Sequence, residues 1–155
     1  MRKYLLIALG FAGLFTACQN NTNEKVAADT LTADSTIVPA TQQYCYQYIK
    51  NGDTATMTMM SSGPITTGEL TYKLAEKDSN NGIFEGELHA DTLIAEYTFG
   101  SEGKESVRQV AFLKKGDQLI EGFGDVEDKN GKMMFKNTAT LKFDGAIVFN
   151  KVDCH

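Results

Sequence analysis

The sequence predicts an all-β domain over residues 43–155, a small antiparallel meander of about eight to ten strands. Three observations carry this reading. No window of eleven or more residues places apolar side chains at helical spacing between caps. Runs of about five to ten residues, rich in β-branched and aromatic types, recur instead. Turn-forming clusters separate them at short intervals, beginning with Asn51-Gly52.

Taken in order, residues 44–50 form the first strand and Asn51-Gly52-Asp53 turns it, because both central residues tolerate positive φ. Residues 54–60 alternate Thr with Ala and Met, and Ser61-Ser62-Gly63-Pro64 breaks the run. In residues 65–74, Leu70, Tyr72 and Leu74 share one face while Glu69, Thr71 and Lys73 take the other. The 78–82 cluster, Asp-Ser-Asn-Asn-Gly, turns again. Residues 83–89 then place Phe84, Gly86 and Leu88 together, opposite Glu85, Glu87 and His89. After Ala90-Asp91, residues 92–99 align Leu93, Ala95, Tyr97 and Phe99. Residues 100–104 are a polar loop and 107–114 a strand. Lys115-Gly116-Asp117 is a turn, 118–124 a strand, and 128–131 a turn. Residues 133–136, 138–143 and 146–152 complete the set, the last two joined by a hairpin at Asp144-Gly145.

Strands at such regular spacing suit a meander that closes on itself, which removes exposed edges. A lipocalin- or streptavidin-like barrel is therefore preferred to a two-sheet β-sandwich. Gly68, Gly86, Gly122 and Gly124 on the strands fit the bends of a small, strongly coiled barrel.

Residues 1–17 have a different character. Arg2 and Lys3 precede an apolar run, residues 5–15, and small residues follow at Thr16 and Ala17. That is the layout of a secretory signal peptide. As a helix the run would rise only about 16 Å, against roughly 30 Å of hydrocarbon, so a simple membrane span is disfavoured. Cys18 follows. The segment Leu14-Phe15-Thr16-Ala17-Cys18 resembles a bacterial lipoprotein signal, with Phe15 where that motif prefers Leu. The resemblance implies cleavage before Cys18 and acylation of Cys18, anchoring the protein to a membrane through lipid. Gln19 after the cysteine, by the same analogy, favours the outer membrane of the cell envelope. The alternative is an ordinary cleaved signal with Cys18 as a spare thiol.

Residues 18–42 then read as the lipidated cysteine and a flexible tether. Residues 19–42 hold five Thr and four Ala, with no Gly and no aromatic residue, and cannot bury enough to offset their ordering entropy. The alternative there is an edge strand at Thr36-Ile37-Val38, limited by Pro39.

Charge and cysteine count narrow the function. The net charge is −5, and without residues 1–17 it is −7, from 13 cations and 20 acids. A nucleic-acid partner would need a basic face. Three cysteines resolve into Cys18 as anchor and a Cys45–Cys154 disulfide between the first and last strands, neighbours in a closed barrel.

No catalytic constellation is legible. His89 lies on a polar strand face beside Glu85 and Glu87, and His155 is the last residue given. GxSxG, GxGxxG and GxxxxGK are absent, and two cysteines with His155 lack zinc-site spacing. The 78–82 cluster departs from a calcium loop, with Gly82 fifth and His89 twelfth. We therefore expect no catalytic residues, no metal and no cofactor.

Arg108 stands out as the only arginine after residue 17, against twelve lysines. Arginine suits a fixed, planar contact with a carboxylate or phosphate. One reading is a salt bridge to Glu102 or Glu105 that pins the loop. The other is an anchor for an anionic ligand at a barrel mouth, with Tyr72, Tyr97 and Phe99 lining the pocket. A small apolar or anionic ligand, or a protein partner, is expected on that basis.

Two resemblances bear on residues 43–155. The Tyr44-Cys45-Tyr46 start, the 76–87 run EKDSNNGIFEGE, the 91–112 run DTLIAEYTFGSEGKESVRQVAF and Cys154 resemble small Bacteroidetes-type lipoproteins of uncharacterised function. That likeness implies a compartment and a barrel, not a reaction. Tyr44-Cys45 before a hairpin and a Thr-rich strand, with Ser101, Gly103, Arg108, Phe112 and Lys115-Gly116-Asp117, is similar to membrane-bound C-type lysozyme inhibitors. Their Ser-Gly-x-x-Tyr type of loop is interrupted here by Gly103-Lys104-Glu105-Ser106, so no inhibitory residue is carried over. The leading expectation is a lipid-anchored, non-enzymatic envelope barrel that binds a ligand or partner. The alternatives are a lysozyme-inhibitor-like lipoprotein and a structural envelope component.

Overall fold

A computed structural model describes residues 40–155 apart from 76, 78 and 102. The expected signal peptide, Cys18, the tether as far as residue 39 with its alternative strand at 36–38, and Glu102 lie outside the described residues.

Ten strands follow in order: β1 (Gln42–Lys50), β2 (Asp53–Ser62), β3 (Ile65–Lys73), β4 (Asn80–His89), β5 (Thr92–Ser101), β6 (Lys104–Lys115), β7 (Gln118–Gly122), β8 (Val126–Lys129), β9 (Lys132–Phe135) and β10 (Val148–Val152). Strands β1 to β7 pair in sequence, each antiparallel to the next, and β10 fits between β7 and β1. The result is a closed antiparallel barrel of eight strands with a β8–β9 hairpin added. The β5–β6 and β1–β10 ladders leave no break at which two separate sheets could part, so the sandwich alternative does not apply.

Local chemistry explains the connections. Asn51 and Gly52 sit at φ 52° and 90°, and Asn130 and Gly131 at 58° and 82°, the left-handed pair that a two-residue hairpin requires. Alternation sets the inside. Tyr46 and Tyr48, Ala55 and Met57, Leu70 and Tyr72, Leu93, Ala95 and Tyr97, Val110 and Phe112, Leu119 and Phe149 are all buried and form one core. Most of their neighbours in sequence face out, as with exposed Ile49 and Ile83, whereas Ala111 between Val110 and Phe112 is buried as well. Large side chains therefore fill the middle of the barrel, each contributing roughly 1.5–3 kcal/mol by burial. Gly86 lets β4 and β5 coil tightly, since a Cβ there would strike the Ile94 carbonyl and the Ala95 backbone.

The Cys45–Cys154 disulfide is formed, with Cα atoms 5.2 Å apart and a sequence separation of 109. It joins β1 to the segment just after β10, where Cys45 already faces Val152 in the ladder.

The chain after β7 differs from expectation. Residues 138–143 are not a strand. Asn137 caps a 3-10 turn, Thr138–Thr140, its Oδ1 accepting from Ala139 N at 2.9 Å, and this local bonding competes with a ladder. Only the Phe123–Lys142 pair makes a bridge there. Asp144-Gly145 is accordingly a loop turn, Asp144 Oδ1 accepting from Ala146 N, rather than a hairpin between strands. The 118–124 strand stops at Gly122, and β8 appears where no strand was expected. Gly122 and Gly124 make room rather than bends: Phe143 stands 2.5 Å from where a Gly122 Cβ would lie, and Leu141 2.8 Å from that of Gly124.

This rearrangement opens a seam. The second half of β6 pairs with β7 from Ala111 to Lys115, while its first half meets β9 in parallel at Val107 and Arg108. The hairpin is held by Lys132 Nζ on Glu96 Oε2 at 2.6 Å and by Phe135 N donating to Gln109 Oε1 at 3.1 Å. Arg108 sits at the mouth of the seam.

Candidate functional site

Four residues singled out in the sequence converge at this end of the barrel. Arg108 lies on the inward phase of β6, two residues from buried Val110 and four from buried Phe112. Its guanidinium carbon is 5.2 Å from the Tyr72 ring centre, 5.5 Å from that of Tyr97 and 5.4 Å from that of Phe99. The rings support one another. Tyr97 and Phe99 stack at 5.0 Å, and Tyr72 meets Tyr97 edge-on at 6.2 Å. Tyr97 Oη donates to the Leu70 carbonyl at 2.7 Å, with Asn80 Oδ1 3.0 Å away, which fixes the wall of the cage.

A fifth residue completes the site. Glu121 on β7 is only 6% exposed, and Tyr72 Oη donates to its Oε1 at 2.9 Å. Its other oxygen, Oε2, is buried with no hydrogen-bond partner, and so is Arg108 Nε. Buried polar atoms without partners are uncommon and each one calls for a reason. The loop-pinning reading of Arg108 gains nothing from Glu105, which is exposed and makes no ion pair with it among the described residues.

Burial sets the proton affinities. It pushes the Glu121 carboxyl up to about 7, against the pull of the Tyr72 hydrogen bond and the Arg108 charge in the other direction. Burial also raises the Tyr97 hydroxyl to about 12, against the pull of Arg108. Tyr72 is raised well above its ordinary value by burial first and then by Glu121. Near neutrality the site thus holds one permanent cation and one carboxyl close to its midpoint.

Arg108 and Glu121 border two recesses. One, of about 410 Å³, runs along the seam between Val107, Val110, Phe123, Val126, Met133 and Phe135. The other, of about 210 Å³, opens toward Leu74, Lys77, Asn80 and Ile147. The first falls within the volume range of small-molecule sites, with mostly apolar walls and few convergent polar groups.

The remaining sequence candidates lie elsewhere. His89 is exposed, 3.6 Å from Glu87. The 78–82 cluster turns only at its start: Ser79 Oγ donates to the Tyr72 carbonyl, while Asn80, Asn81 and Gly82 belong to β4 and pair with β3, Asn81 donating to Thr71 Oγ1 and Asn80 Oδ1 accepting from Tyr97 Oη. A groove of about 570 Å³ on the outer face includes Met60, Ile83, Glu69, Glu85 and Glu96, with Glu96 already paired to Lys132.

Sequence reading missed Glu121, because a charged residue in a strand reads as facing water. The available signal was phase: Glu121 stands two residues from Leu119 and shares its face. No family model, curated protein or solved structure matches this chain.

Proposed function

We propose that this chain is a lipid-anchored, non-enzymatic binding protein of the cell envelope, held in the outer membrane through Cys18, with a ligand site at the Arg108 end of its barrel. One observation carries the binding reading. Glu121 is buried and Arg108 half-buried at the junction of two recesses, each with a buried polar atom unpartnered, beside Tyr72, Tyr97 and Phe99. The filled core argues against carriage along the barrel axis and favours the seam as the way in. The Cys45–Cys154 bond supports an oxidising compartment, and the Leu14–Cys18 sequence supports the anchor.

Two measurements test this reading. Arg108→Met in the full chain should abolish binding of any small molecule captured by the wild type, while Lys114→Ala at the opposite end should not. Equal binding by Arg108→Met would overturn the site. Acyl labelling should disappear in Cys18→Ala, and persistent labelling would overturn the anchor.

The outer groove favours a second reading, recognition of a basic protein. Exposed Met60 and Ile83 lie there beside Glu69 and Glu85, and acidic surfaces speed encounters with basic partners. C-type lysozyme is the test case, and unchanged cell-wall lysis at high molar excess would remove it.

A further inference from the structure

We propose, resting on the ligand site above, that the ligand is a small organic acid with an apolar body, its carboxylate held between Arg108 and Glu121 and its body in the seam.

The cage decides which parts of Arg108 are usable. The guanidinium carbon lies over three aromatic rings, within 5.5 Å of each centre, so the rings position the group and its N–H donors are what it can offer. Those donors form a fork matching the two oxygens of a planar carboxylate, and Arg108 makes no ion pair among the described residues. Glu121 is also half committed. Tyr72 occupies Oε1, which leaves Oε2 as the free position, and both residues border both recesses. The seam beyond them is walled by Val107, Val110, Phe123, Val126, Met133 and Phe135, a lining for an apolar body.

Like charges dictate the proton. Two carboxylates cannot share one guanidinium in a buried site without a large penalty, so Glu121 binds the ligand as the neutral acid and donates from its free oxygen. No bond is made or broken except that one proton moves from solvent to Glu121. Its affinity is set by burial, then by Tyr72 on β3 and Arg108 on β6; Tyr97 on β5 and Lys77 on the rim of the smaller recess are the other titratable groups nearby. Glu121 is already pushed up to about 7, so protonation takes little at neutral pH and becomes limiting above it. Binding therefore weakens as pH rises past that value.

The test uses the full chain in lipid nanodiscs, with empty nanodiscs as blank, and calorimetry at pH 6 to 8.5. The probes are 3-phenylpropanoate, 3-phenylpropanamide and 3-phenylpropylammonium, which share one body and differ in head group. The carboxylate should bind at least about ten-fold tighter than either other probe, a difference a charge-assisted pair can supply. At pH 8 its binding should take up about one proton, read from buffers of different ionisation enthalpy, and its Kd should rise about ten-fold per pH unit above pH 7. Glu121→Gln should remove that pH dependence. If the amide or ammonium binds as well, or no proton is taken up, the organic-acid inference fails and the binding site stands. Absence of binding by all three probes overturns the inference and the small-ligand reading together. The wild-type series alone decides these outcomes, whether or not the variants fold.

Discussion

The two ends of the barrel both place cations over aromatic rings, but they do it in opposite ways. Where β6 ends, Lys114 and Lys151 lie 5.7 and 5.5 Å from the Tyr44 ring, and both lysines are exposed. Lys151 also reaches Asp117 at 3.7 Å, and the Cys45–Cys154 bond closes this end covalently. Where β6 begins, Arg108 is surrounded by three rings, faces a buried acid and leaves polar atoms unpartnered. The first end is built for closure and costs little to desolvate. The second carries buried charge that the barrel does not need for its own cohesion. Charge kept where it weakens a fold is characteristic of a site.

Four measurements sharpen or break that contrast. The largest effect belongs to the closed end. Replacing both Cys45 and Cys154 by Ser should cost about 4–5 kcal/mol as an upper figure, since the loop spans almost the whole domain. Urea unfolding reads this, and a change under about 1 kcal/mol would mean the ring closes well without the bond.

Glu121→Gln should act in the opposite direction at the open end. The native carboxyl, at about 7, holds its proton above the usual value of 4.5. Between those values the unfolded chain releases a proton that the native state retains, so wild-type stability falls as pH rises from 4.5 to about 7 and is level above it. The variant lacks this slope and should be more stable than wild type by about 3 kcal/mol at pH 8, with no such gain at pH 4. Thermal melts across this range check it, and equal slopes would show Glu121 paired after all.

Tyr72→Phe should cost about 1–3 kcal/mol at pH 8, because it strips the donor from a buried carboxyl. It should also raise the midpoint of Glu121, read by NMR titration of its side-chain carboxyl. The smallest effect is expected from Lys114→Ala or Lys151→Ala, about 0.5–1 kcal/mol each, in a double-mutant cycle with Tyr44→Leu. A coupling as large as that of Tyr72 with Glu121 would erase the difference between the ends.

Legibility in the sequence followed the same division. Strands β3, β4 and β5 alternate cleanly, and Leu70, Tyr72, Phe84, Leu93, Ala95 and Tyr97 all face inward as their spacing requires. Asn51-Gly52 and Asn130-Gly131 announced their turns, because few other pairs accept two positive φ values. Residues 136–147 were misread because Thr, Leu and Phe there resemble a strand, while the decisive bonds come from Asn137 and from the gaps at Gly122 and Gly124. Arg108 was legible from composition alone, as a lone arginine. Its partner Glu121 was not, since burial of a carboxylate depends on which strand closes the ring, and that is a tertiary fact.

The position of β10 has a consequence for biogenesis. Val148–Val152 is the stave between β7 and β1, so β1 keeps an unpaired edge for as long as the chain is incomplete. The ring cannot seal until that stretch is available, and Cys45 waits for Cys154 over the same interval. Pairings this distant in sequence are slow to form and leave edges exposed to aggregation. Oxidation of Cys45 with Cys154 thus marks a completed ring: a chain that stops before β10 keeps both a free Cys45 thiol and an open β1 edge.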